Sequence, residues 1–233
     1  MAKASLPKSG SADALALARA AAGGPPILVL AASAQDAERL REEISWFDPT
    51  LAVHRLPDWE ILPYDQFSPH PDLVSERLST LWQFSNGDFR VGIVPVSTAL
   101  QRLPPRSYVA GRTFNLKAKT RLDLEALRAQ MVLAGYHHVQ QVMSPGEFCV
   151  RGGIVDLFPT GSAVPYRLDL MADEIETIRT FDVDTQRSIY PVSEVRMLPA
   201  REFPLDEEGR NHFRTASASA SRAIPPRAAC TRT

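Results

Sequence analysis

From Phe148 to Phe181 the chain alternates between short β-rich runs and turn residues at close spacing. The runs are Phe148 to Val150, Ile154 to Phe158, Val164 to Leu170 and Ile175 to Phe181. Between them lie Gly152-Gly153, then Pro159-Thr160-Gly161-Ser162, then Ala172-Asp173-Glu174. Runs this short, broken by glycine, proline and small acceptor side chains, predict an antiparallel meander. In the third run Val164, Tyr166, Leu168 and Leu170 fall on one face, and Pro165, Arg167 and Asp169 on the other. Arg151 ends the first run. The second face thus carries two arginines and an acid, which fits either a charged docking surface or an ordinary solvated sheet face.

Upstream the period becomes helical. Ala12 to Ala22 is alanine-rich, with Ser11 as the expected N-cap and Gly23-Gly24-Pro25-Pro26 as the stop. Ile27 to Leu30 is a continuous apolar run of the buried-strand kind. Ser33 and Asp36 have the spacing that opens a helix, and Ala37, Leu40, Ile44 and Phe47 then recur on one side. A strand around Ala52 to Leu56, a helix from Leu73 to Phe84 and a strand from Val91 to Val96 complete a largely parallel α/β layer. The excursion from Leu56 to Leu73 carries Pro57, Pro63, Pro69 and Pro71 with Trp59, Tyr64 and Phe67. Those aromatics either line a groove for bases or a partner, or pin an irregular loop to the domain.

Ser97 to Arg102 reads as a short helix, and Pro104-Pro105 as a boundary. A second, α+β unit follows, with Phe114 to Leu116 extended and a helix from Leu122 to Ala134. That helix aligns Leu124, Leu127 and Met131 and is closed by Gly135. Beyond Pro204, Ala216 to Ser221 is low in complexity, and the tail is expected to be disordered.

With 44% hydrophobic and 23% charged residues in 233, the chain can bury its own core. A formal net charge of -1 gives no global attraction to nucleic acid. A weak DNA contact would rest on Arg102, Arg106, Arg112, Lys117, Lys119 and Arg121, which also read as a solvated linker. Cys149 and Cys230 are expected as reduced thiols. His54, His70, His137, His138 and His212 show no ligand spacing, so no metal is expected. No membrane span or signal peptide is apparent, and a cytoplasmic location is expected. Lys8-Ser9-Gly10-Ser11 has the wrong order for a phosphate loop, so no nucleotide cofactor is expected either.

The strings L-P-D-W-E-I-L-P-Y-D-Q-F-S-P-H-P-D-L, V-R-G-G-I-V-D-L-F-P, P-Y-R-L-D-L and F-D-V-D-T-Q-R resemble the N-terminal region of bacterial transcription-repair coupling factors. The resemblance covers roughly residues 6 to 214. It implies an α/β fold: a partial, degenerate P-loop-like parallel-sheet domain without a Walker A motif, interrupted by an inserted small α+β UvrB-interaction domain. The expected boundaries are 1–105, 106–198 for the insert, 199–214 for the start of the returning α/β segment, and 215–233 for the tail. The family role implied is recruitment of UvrA to stalled transcription complexes in nucleotide excision repair. Its UvrA-contacting arginines fall on Arg151 and Arg167, and an aromatic contact is replaced here by Met171. The competing expectation is a piece of an ATP-driven DNA translocase. The family's ATP and magnesium sites, its motor domains and its RNA-polymerase-binding domain are expected to lie outside these residues.

Overall fold

A computed structural model describes residues 10–61, 66–204 and 207–223. The chain separates into two compact units, one running through Glu202 and one beginning at Phe203.

The first unit opens with α1 (Ala12–Gly23), β1 (Ile27–Ala31), α2 (Ala34–Phe47), β2 (Val53–Arg55), α3 (Pro71–Asn86) and β3 (Val91–Pro95). The three strands are parallel in the order β1-β3-β2, as the alternation of strands and helices requires. Ser33 caps α2 by accepting from the Asp36 amide at 3.0 Å. Ser11 stands at the N-cap of α1 as expected, but its side chain makes no capping bond; the Asp13 carboxylate in the first turn accepts from the Ala14 amide. Ala14, Ala18 and Ala21 of α1 pack with Ala37, Leu40 and Ile44 of α2 against Val91 and Ile93. Small alanines allow that close approach.

On the opposite face α3 covers only part of the sheet, through Leu81 and Phe84 against Leu56 and Val94. The apolar run of β1 is therefore not buried throughout: Leu28 and Leu30 are 59% and 62% exposed. Alternating residues of a strand need a cover on both sides, and here only one side has it.

The connection continues as α4 (Val96–Ala99), shorter than expected, and α5 (Arg106–Gly111), which sequence periodicity does not announce. Arg106 donates from its guanidinium to the Ser85 carbonyl at the end of α3. The second layer follows: β4 (Phe114–Lys117), α6 (Leu124–Ala134), β5 (His137–His138), β6 (Glu147–Arg151), β7 (Ile154–Phe158), β8 (Tyr166–Met171), β9 (Glu174–Phe181), β10 (Ser188–Val192) and β11 (Glu194–Met197). The expected meander is present within a six-stranded sheet ordered β10-β9-β8-β7-β6-β5, and β4 pairs with β11. Asp123 caps α6 by accepting from the Glu125 and Ala126 amides at 3.0 Å. Gly135, at φ 96, closes the helix in the left-handed region. Leu127 and Met131 pack on Phe148, Val155, Leu157, Leu168, Ile175 and Ile178, the main core of this layer.

Buried polar contacts join the two layers. The Gly161 amide donates to Ser75 Oγ at 2.8 Å, and Arg77 pairs with Glu202. Within the second layer, the Tyr136 hydroxyl donates to the Leu198 carbonyl at 2.7 Å, and burial pushes its pKa up to about 12.

In the second unit α7 (Glu207–Ala223) runs through the alanine-serine stretch that composition marks as unstructured. Alanine's high helix propensity accounts for the difference. The rest of the expected tail, with Cys230, lies outside the described residues.

Candidate partner-binding surface

The strand register sets out the surface. On the face away from α6, Arg151, Ile154, Asp169 and Thr177 form one cross-strand row over β6, β7, β8 and β9. Cys149, Asp156, Arg167 and Arg179 form the next, which reaches Pro191 of β10. Gly152, at φ 57, turns β6 into β7 and leaves Arg151 at the tip of the hairpin.

Arg151 and Arg167 are brought together by an acid that sequence reasoning did not single out. The Asp156 side chain is fully buried. Arg167 grips it through Nε at 2.6 Å and Nη2 at 2.9 Å, and Arg151 reaches the same carboxylate through Nη2. A buried carboxylate needs such partners: the Arg167 fork takes both of its oxygens, and Arg151 adds a second donor to Oδ2. The hydrogen bond to Asp156 raises the Arg167 pKa further, partly opposed by burial.

The two arginines are not equivalent. Arg167 also donates to the Gln186 carbonyl at 3.1 Å and lies 4.9 Å from the centre of the Phe181 ring. Its side chain is only 16% exposed, whereas that of Arg151 is 51% exposed. The expectation of an open face is therefore corrected at Arg167. A second small core of Val142, Cys149, Phe158 and Phe181 occupies this side of the sheet, and Arg167 is drawn down beside it. Asp169, the acid expected on the surface with the arginines, instead accepts from the Thr177 hydroxyl at 2.6 Å. Met171, at the turn from β8 to β9, is 69% exposed, and the following Ala172 has φ 54. The register that yields Asp156 is a relation between strands; the only local signal is an acid in the β-rich run I-V-D-L-F.

The other sequence candidates do not assemble. Trp59 lies under the Arg77 guanidinium at 4.4 Å and so pins its loop; Phe67 is exposed, and Tyr64 lies outside the described residues. In the basic stretch Lys117 pairs with Glu194 at 3.2 Å and Arg121 with Asp173 at 3.8 Å, so two of its charges face acids. Among the described residues no group of three His, Cys, Asp or Glu side chains gathers to hold a metal ion. No helix among them is long and apolar enough to cross a membrane.

Residues 114–203 match the UvrB interaction domain family. Over 190 residues, 82% of its length, the chain is 48% identical to the transcription-repair-coupling factor of Escherichia coli K12. Over 207 residues, 87% of its length, it is 44% identical to that of Haemophilus influenzae. Residues 114–203 are thus similar to UvrB interaction domains, and most of the chain is similar to part of the transcription-repair-coupling factors. It spans 16% and 18% of the length of those two relatives. The Bacillus subtilis factor is 27% identical over 183 residues, 78% of this chain and 16% of the relative. Arg151, Asp156, Arg167 and Met171 all lie inside the UvrB interaction domain.

Proposed function

We propose that this chain recruits UvrA during transcription-coupled nucleotide excision repair, through the face of its UvrB interaction domain that carries Arg151. The observation that carries the reading is the pairing at Asp156. A fully buried carboxylate fixes two guanidinium groups and leaves one of them, on Arg151, half exposed at a hairpin tip. A fixed, partly desolvated guanidinium binds a carboxylate at less cost in side-chain freedom than a mobile one. Exposed Met171 adds an adaptable apolar contact at a second hairpin tip.

In this reading the chain acts as a binding module in the cytoplasm, and its three-stranded parallel sheet is a degenerate relative of P-loop domains. The step from β1 to α2 passes through Ala32 and Ser33 alone, too short for a phosphate loop. No nucleotide or magnesium is assigned to these residues; contact with RNA polymerase and motor activity are assigned to other parts of longer family members. Titration calorimetry of purified UvrA into the purified chain tests the proposal. Saturable binding is expected, and a folded chain that takes up no UvrA overturns it.

A further inference from the structure

The arrangement at Asp156 leaves one cation of the same face unused. Arg179 on β9 is the in-register neighbour of Arg167 on β8, with Pro191 on its other side. Its side chain is exposed and makes no hydrogen bond or ion pair among the described residues. Like charges placed directly opposite each other on neighbouring strands are destabilising. Asp156 does not relieve this one, because both of its oxygens are taken by Arg151 and Arg167. Asp169 in the adjoining row is engaged with Thr177. The face thus carries a positive charge that the fold itself leaves uncompensated.

Resting on the reading above, we infer that Arg179 is a further contact residue of this surface and receives a carboxylate of the partner protein. The edge strand beside it carries Pro191 and a register irregularity, which block the addition of another strand, so the partner is met by side chains on the sheet face. Arg151 and Arg179 stand on β6 and β9, three strand spacings apart and one cross-strand row out of line, which separates them by roughly 16 Å. The partner surface must therefore offer two acidic groups at about that separation. Exposed Asp173 and Glu174, at the same end of the sheet as Met171, favour a folded protein over a continuous phosphate backbone.

The test uses the whole chain with Arg179→Thr, Arg179→Glu, Arg179→Lys and Arg151→Ala. UvrA association is followed kinetically at two salt concentrations, and thermal melting is recorded for each variant. Arg179→Thr is expected to weaken binding about tenfold, chiefly through slower association, and Arg179→Glu further. Arg179→Lys should keep the association rate and its salt dependence. Removal of the repulsion should leave the melting temperature of Arg179→Thr equal to or above that of the parent, an outcome that a purely structural arginine would not give. If Arg179→Glu binds as tightly as the parent while Arg151→Ala loses binding, the role of Arg179 is wrong and the surface reading stands. If the parent does not bind UvrA, or neither position affects binding, the surface reading fails and this inference with it. Salt-sensitive binding of duplex DNA that is lost in Arg179→Glu would instead overturn the protein partner.

Discussion

Arg77 and Glu202, 125 residues apart in the chain, meet as a buried bidentate pair, with Nε to Oε1 at 2.5 Å and Nη2 to Oε2 at 3.1 Å. Arg77 is wholly buried and Glu202 nearly so. The remaining guanidinium nitrogen donates to the Pro57 carbonyl, and the Trp59 ring lies against the group at 4.4 Å. One side chain thereby fastens α3, the proline-rich loop and the segment that leaves the UvrB interaction domain. Removing one partner of such a pair strands a charge in the interior. Glu202→Ala should cost about 3–5 kcal/mol in a urea unfolding series, and an unchanged midpoint would show that the pair is not a structural lock.

The chain's acid sensitivity should have a component from His54. Burial lowers its pKa below the ordinary 6.5, and Asp88 opposes this only in part. The folded value lies below the unfolded one, so the stability tied to neutral His54 is complete above about pH 6.5 and is lost as the pH falls through the folded value. Melting temperatures recorded from about pH 7 down to pH 5 should decline, and His54→Gln should flatten that decline. An identical slope in the variant would assign the acid sensitivity elsewhere.

Leu28 and Leu30 make β1 a liability. The strand lies at the edge of its sheet and contains neither charge nor proline, the features that usually protect an edge. Leu28→Lys with Leu30→Lys should reduce light scattering in concentrated samples while shifting folding stability by no more than about 0.5 kcal/mol per site. Unchanged scattering would mean that association does not proceed through this face.

These cases mark what the sequence could convey. The meander was legible because alternation and turn residues act locally, and α2 and α6 were legible from Ser33 and Gly135. The apolar run of β1 was legible as a strand, but a run alone does not reveal whether one face or both will be covered. The strand from Ser188 to Val192 went unnoticed because Pro191 and a register shift obscure its pattern, and its partner β9 defines it. At the candidate site, Arg151 and Met171 are picked out by family resemblance alone, and the structure shows them exposed at hairpin tips. The acid that orders the surface was not, because the approach of Asp156 to Arg167 depends on the register of two strands. The same blindness applied to Arg77, which looks like a polar position on a helix until the distant Glu202 is placed beside it.

Because Arg167 neutralises a buried acid, replacing it would damage the fold along with the surface; Arg151→Ala is the cleaner probe. The most direct measurement is calorimetric titration of UvrA into the parent chain and into Arg151→Ala, with thermal melting to confirm that both fold. The variant is expected to bind at least about tenfold more weakly, with little change in melting temperature. Equal affinity for the two chains would rule out Arg151 as a UvrA contact.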